Sequence, residues 1–567
     1  MSSEFKLPIY YLENKERLDE NIKEDLEFNK VTECKEGRPS LLEKIYKPKS
    51  KIGKLYLHKQ GEYFTNNKLF LKQTQQIISN LKAIDIQKKN IFTQKCNDFY
   101  DLWNKIRQDE NFIDRYYYCD VNFFKFLNHN SFFLQLLSLY NLFSPILSLC
   151  IPILMLIVPF FMLKFSGVKI TLASYFEVLQ KIFSKHALGN FSNIMKEVSW
   201  EKRFYALISI GFYLFSIYQN SLVCYRFYQN FKQIHDDLFL LMDYLNITIE
   251  NMNEYGKLIY KHNTYAPFLN SMQDYKHKLE SLLVNLNKIN KFTFSHKKLN
   301  EIGYVMKYYY EIHINEDIKD IMEYSFGFNA YMEHLQGIEQ LHREKLIKKC
   351  KFGKKLKFKN IYNAYLIDKT PVKNNISFDK NIIVTGPNAS GKTTILKSIL
   401  FNLIFSQAYG FGFYDTATIP LYNKIHCYLN IPDTSGRDSL FQAEARRCKE
   451  IMDSFNNKEK HFCIFDELFS GTNPNEACSS SYGFIKYMLN KKVDFILTTH
   501  LHELCYKLDN SLQNLNMEVI EEENYNFKYS YQIKYGISSI KGGIKVLKDL
   551  NFPNEIIQDS LLFRSNY

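Results

Sequence analysis

The chain has 567 residues, too many for one ordinary core, so three or four units are expected. A formal charge of +13 and a pI near 8.9 suit contact with nucleic acid or anionic lipid, and equally a merely solvated basic surface. The 11 cysteines are scattered without a CxxC pair, which argues against a disulfide framework or structural zinc and for a reducing compartment.

Met1–Glu20 carries charges throughout, so no secretory signal is expected there. Residues 1–125 read as a helical soluble region, with a helical hairpin from about Ser40 to Leu81. From Phe126 to Leu163 there is no Asp, Glu, Lys or Arg, and residues 141–163 are long enough to cross a hydrocarbon layer needing roughly 20 apolar residues. Residues 204–225 form a second uncharged span. The pair reads as a transmembrane hairpin over 126–225 with a loop at 164–203, and a buried core hairpin is the competing reading. Pro145, Pro152 and Pro159 would break a soluble helix but are tolerated in a membrane helix.

Residues 226–359 have long-helix character, with Leu238, Leu241, Leu245, Ile249 and Met252 at helical spacing. Two long antiparallel helices are expected, breaking near Asn290–Ser295 and near Gly327. Lys288, Lys291, His296, Lys297 and Lys298 form a basic cluster, read as a solvated helix tip or as a contact for a polyanion.

Beyond Asn360 short β-branched strands alternate with helices, an α/β pattern spanning 360–525. Its centre is Asn381–Thr394, NIIVTGPNASGKTT, a strand, a phosphate loop and a helix. Gly386, Pro387, Asn388, Ala389, Ser390, Gly391, Lys392, Thr393 and Thr394 would cradle a nucleotide. Lys392 would reach the β and γ phosphates, and Thr393 would hold Mg²⁺. Gln407 closes the following helix, where its amide could sense Mg²⁺ or the attacking water. In SGRDSLFQAEARR, Ser439 begins a helix just after Gly436, so a hydroxyl and backbone N–H groups would point at an incoming anion; a plain helix cap is the alternative. Phe462–Phe465 read as a buried strand ending in two carboxylates. Asp466 would hold Mg²⁺, and Glu467 would orient or deprotonate the attacking water. Gly471-Thr472-Asn473 then forms a loop facing a neighbour, and DFILTTH ends in His500, positioned to touch the γ phosphate or the water.

TGPNASGKTT, SGRDSLFQAE, FCIFDELFSGTNP and ILTTHLHEL together resemble the ATPase domain of the MutS family, the mismatch-repair branch of the ABC ATPases. YQIKYGISSIKGGIKVLKDLNFPNEII resembles the helix-turn-helix with which those domains close and dimerise, giving an expected element at 526–567. Ser40–Leu81, with Ile52-Gly53 and Gln75-Gln76, is similar to the start of the MutS core helices. The resemblance implies ATP and Mg²⁺ as cofactors and a homodimer, or a heterodimer with a MutS-like partner, in which Ser439 of one subunit meets the γ phosphate held by the other. The lever over 226–359 would carry closure to a distant clamp. Only one Phe-x-Glu triplet occurs, Phe465-Asp466-Glu467 inside the hydrolytic strand, so a mismatch wedge is not expected in this chain.

The expected fold is therefore α+β multidomain: a mostly helical amino-terminal core and lever with a transmembrane hairpin, then an α/β ABC-type P-loop ATPase domain. Two crossings put both large soluble parts on one side, the cytosolic side that holds ATP. Two functions compete. One is a membrane-tethered MutS-like ATPase coupling closure to DNA binding; the other is a mechanical membrane ATPase acting on a protein or membrane partner without DNA.

Overall fold

A computed structural model describes residues 4–29, 38–81, 86–167, 175, 177, 200–292, 296–429, 439–522, 526–538, 540 and 543–565. Most of the expected loop 164–203 lies outside them, as do Gly436 and the backbone of 293–295.

In chain order the helices that matter begin with α1 (Leu41–Tyr46), started by a Ser40–Glu43 capping box, and α2 (Lys68–Asn80), capped by Asn67. Then come α3 (Ile86–Arg107), α4 (Ser131–Phe165), α5 (Trp200–Ile259), α6 (Ala266–Leu286), α7 (Ile302–Ile314) and α8 (Glu316–Arg343). The chain divides into two units, one of Asn97–Ile249 with His277–Met322, the other of Met1–Cys96, Glu250–Lys276 and Glu323–Tyr567.

In the first unit Phe99 stacks on Tyr244, and Phe112 on His313 with ring centroids 3.9 Å apart. The base of α4 is pinned to α7 because Gly303 lacks a Cβ that would strike Ser131, and its N–H donates to Gln135 Oε1 at 2.8 Å. α4 runs unbroken through Pro145, Pro152 and Pro159. It meets α5 along a polar seam: Asn220 Nδ2 donates to Ser148 Oγ at 2.5 Å and Tyr213 OH to Ser148 O at 3.3 Å. Large apolar side chains point the other way, among them Phe132 at 70% exposure, Tyr140 at 61% and Phe212 at 69%. Among the described residues one stretch, Ser131–Cys150, is long and apolar enough to cross a membrane. The side chains of most of 151–163 lie outside the described set.

Two expectations about the long helices are corrected. α8 passes through Gly327 without a break, and the interruption falls at Asn315. Gly327 is there for packing, since a Cβ would collide with the Phe5 side chain. Lys298, read as part of an exposed basic tip, is buried: it donates to Glu301 Oε2 at 3.0 Å and to the Asn290 carbonyl, with His235 Nε2 at 3.3 Å.

Besides two-stranded pairings, the second unit contains a six-stranded and a four-stranded sheet. Strands β1 (Lys351–Phe352), β2 (Lys357–Ile361), β3 (Asn374–Ser377), β4 (Ile382–Thr385), β5 (Thr416–Ile419), β6 (Lys424–Tyr428), β7 (His461–Asp466), β8 (Asp494–Thr498), β9 (Gln513–Glu522) and β10 (Asn526–Tyr535) supply them. The main sheet runs β6-β7-β8-β4-β9-β10, parallel up to β9 and closed by antiparallel β10. The smaller sheet runs β1-β5-β2-β3. Helices α9 (Lys392–Tyr409), α10 (Leu440–Asp453) and α11 (Pro474–Asn490) connect the parallel strands, whose unbroken apolar runs are buried. Two short helices, α12 (Gly543–Asp549) and α13 (Asn554–Ser565), close the chain. The two-helix element thus starts at Gly543, since Asn526–Tyr535 belongs to the sheet.

Candidate functional site

The buried run Ile382–Thr385 delivers the chain to Gly386 in mid-sheet. Asp466, Thr498 and Val384 occupy one register row across β7, β8 and β4, so the residues after them emerge side by side at the carboxyl ends. That edge of a parallel sheet is where ligands bind in open α/β folds.

The loop from Gly386 to Gly391 needs its last glycine. Gly391 has φ +97°, and a Cβ there would press on the Tyr531 ring at 3.2 Å. Ala389 also lies at positive φ, so successive N–H groups curl toward one point at the start of α9. The Ser390 hydroxyl, in a residue only 1% exposed, has no hydrogen-bond partner among the described residues. A buried hydroxyl orphaned within such a loop suits an anionic ligand.

Lys392 Nζ donates to the carbonyls of Gly386 at 3.0 Å and Pro387 at 3.3 Å, and lies 3.5 Å from Glu467 Oε1. Burial pulls the ammonium below its ordinary pKa, with Glu467 and Asp466 opposing the shift. Thr393 Oγ1 donates to Asp466 Oδ2 at 2.6 Å, and Thr498 Oγ1 donates to the other oxygen. Both carboxylate oxygens therefore hold exchangeable hydroxyl partners. Thr393 and Asp466 form the oxygen pair that would hold Mg²⁺, and the hard donor set fits that ion.

Glu467 sits at φ +53°, with its N–H on the Thr498 carbonyl at 3.2 Å. His500 Nε2 lies 2.7 Å from Glu467 Oε1. This hydrogen bond, ahead of the Lys392 charge, holds the Glu467 carboxyl below the ordinary glutamate range against the opposing effect of burial. A cleft of about 560 Å³ opens between Gly386-Pro387-Asn388 and His500, with Pro474 and Val546 across it. A second hollow of about 310 Å³ adjoins Gly391 and Thr394 and is walled by Tyr362, Asn374, Met517 and Tyr531.

Gln407 does not belong to this site. Its side chain is fully buried, with Nε2 donating to the carbonyls of Thr65 at 3.1 Å and Tyr422 at 2.8 Å, and Oε1 accepting from Tyr422 N at 3.0 Å. It stands fifteen residues beyond Lys392 on one helix, about 22 Å at 1.5 Å per residue. The amide is a structural clamp. Ser439 is exposed and caps α10, accepting from Gln442 N at 3.3 Å while its own N–H donates to Gln442 Oε1 at 3.0 Å. The structure joins Gly386–Thr394, Asp466, Glu467 and His500, and leaves Ser439 on an open surface.

Sequence reasoning overlooked two residues. Thr498, two positions before His500, orients Asp466. Glu444, buried in α10, accepts from Ser470 N at 3.1 Å, Ser470 Oγ at 2.9 Å and Gly471 N at 3.1 Å, tying this helix to the loop after Glu467. A charged residue inside a helical run gave no local signal of burial.

A parallel sheet carrying a glycine loop at the start of a helix, with an acidic strand end beside it, defines a P-loop nucleotide-binding domain. Residues 382–564 match the family model described as MutS domain V. Over this domain the chain is similar to the MutS family. It is 32% identical over 209 residues to DNA mismatch repair protein MutS of Prochlorococcus marinus (strain MIT 9312), covering 36% of this chain and 23% of that protein. It is 30% identical over 202 residues to MutS protein homolog 4 of Mus musculus, covering 34% and 21%. With the mitochondrial DNA mismatch repair protein mutS homolog of Sarcophyton glaucum it shares 28% over 195 residues, covering 34% and 20%. The chain thus covers less than a quarter of the length of each of these relatives.

Proposed function

We propose that the chain is a MutS-like ATPase that binds and hydrolyses ATP in a dimer, couples closure to DNA binding, and is tethered to a membrane. The observation that carries the catalytic part is the convergence of Lys392, Asp466, Glu467 and His500 on one loop. Mg²⁺, when bound, would neutralise phosphate charge. Lys392 would exchange its loop carbonyls for phosphate oxygens, and the tyrosine-walled hollow beside Gly391 would suit a nucleobase. Glu467, kept ionised by His500, would accept a proton from the attacking water. Ser439 of a second copy would complete the site from outside, which its exposure permits. Mismatch reading forms no part of the proposal.

The acid limb of the pH profile tests the Glu467–His500 pair. Because the His500 hydrogen bond favours the carboxylate, its loss lets Glu467 take up a proton at higher pH. The His500→Ala chain is therefore expected to lose kcat/KM at a higher pH than the parent as acid is added. Coincident acid limbs would remove Glu467 as the base that His500 holds ionised.

Membrane attachment rests on the apolar faces of α4 and α5 outside their polar seam, a hairpin arrangement that suits lipid. Both large soluble parts would face the cytosol. Alkaline carbonate should leave the full chain in the membrane pellet of expressing cells, and release into the supernatant would refute the tether.

A further inference from the structure

Residues 345–380 hold eleven lysines against two aspartates, a surplus of nine in a chain whose whole formal surplus is +13. The fold spreads much of that charge over one face of the small sheet. Lys351, Thr418, Lys357 and Ser377 form one row across β1, β5, β2 and β3, and Lys359 pairs with Thr416 in the next. Alternation fixes which way they point. Leu356, Phe358, Ile361, Ile376 and Ile419 are buried beneath, while Lys351, Lys357 and Lys359 are exposed, as are Lys354 and Lys355 in the turn between β1 and β2. Asp379 lies 3.1 Å from Lys355 and 3.9 Å from Lys357. Those pairs are exposed and worth little. Lys351, Lys354 and Lys359 form no ion pair among the described residues.

We infer that this face binds the phosphate backbone of duplex DNA without regard to sequence. Strands about 4.8 Å apart and same-face residues about 7 Å apart give a lysine grid of about 7 by 10 Å, comparable to groove widths of about 6 and 12 Å. Thr416, Thr418, Asn375 and Ser377 supply neutral polar side chains between the cations, a mixture that suits phosphate and sugar contacts. A bilayer surface would call for exposed Trp, Phe or Leu beside the lysines, and none of the large apolar side chains of these four strands is exposed. The inference deepens the reading of the chain as a DNA-coupled ATPase, and moves the contact from the Lys288–Lys298 tip, where Lys298 is buried, to this sheet.

The test uses the full chain in detergent, a labelled mixed-sequence duplex of about 30 base pairs, and separate vesicles with and without phosphatidylserine. Lys351→Gln/Lys357→Gln/Lys359→Gln should weaken duplex affinity at least about tenfold and reduce the slope of log K against log salt by about 3. Basal ATP turnover and melting temperature should stay unchanged, since these side chains are exposed and outside the nucleotide site. Duplex binding of parental strength and slope in the triple variant would overturn the inference. So would a parent chain that ignores the duplex and binds only the anionic vesicles. A parent chain that binds the duplex through this face yet turns over no ATP would leave the inference standing and defeat the ATPase reading.

Discussion

Replacing Glu467 by glutamine is expected to lower ATP turnover by about three orders of magnitude while nucleotide affinity stays close to that of the parent. The substitution keeps the shape of the side chain and the backbone bond from Glu467 N to the Thr498 carbonyl. What it removes is the charge that lies 2.7 Å from His500 Nε2 and 3.5 Å from Lys392 Nζ. The phosphate loop, Lys392 and the Thr393–Asp466 pair remain, so binding should survive while proton acceptance is lost. Steady-state turnover and equilibrium titration with a labelled ATP analogue check both halves. Turnover within tenfold of the parent would exclude Glu467 as the base.

The second large effect is on stability. Glu444→Ala should destabilise the nucleotide domain by roughly 3 kcal/mol, because it removes the buried charged acceptor of three part-buried hydrogen bonds, from the Ser470 and Gly471 N–H groups and the Ser470 hydroxyl. For a domain of this size the melting temperature should fall by about 6–12 °C. Glu444→Gln should recover little, since its amide N–H₂ would face donors. The same contact couples two parts of the machinery. α10 begins at Ser439, and Gly471 packs so closely on Leu440 and Phe441 N that a Cβ would meet them at 2.8 Å. Loosening it should reduce turnover more than nucleotide affinity. An unchanged melting temperature in calorimetry would mean that Glu444 does not hold the loop.

What was legible in the sequence follows from how local each constraint is. A loop curling around phosphate demands glycine at the position with φ +97° and a lysine directly after it, so its chemistry is written in consecutive residues. The acidic pair is equally plain, because two carboxylates closing a buried strand need a local purpose. Gln407 misled because its partners, Thr65 and Tyr422, come from distant segments. Gly327 looked like a helix stop because glycine punctuates locally, whereas its reason is the approach of Phe5, more than three hundred residues earlier. Lys298 looked solvated until Glu301 and the Asn290 carbonyl enclosed it. The lysines of 345–359 were absorbed into the overall charge, and only the strand register gathers them onto one face.

Two inactive chains, mixed, test the composite site most directly. Lys392→Ala disables the phosphate loop, and Ser439→Arg blocks the exposed helix start at a capping cost of only about 1 kcal/mol. In a symmetric dimer that sandwiches ATP, each variant alone should be inactive. Equal mixing gives about half mixed dimers with one intact site each, restoring about a quarter of the parental turnover. Full activity of Ser439→Arg alone, or no recovery on mixing, would contradict a site shared between two copies of the chain.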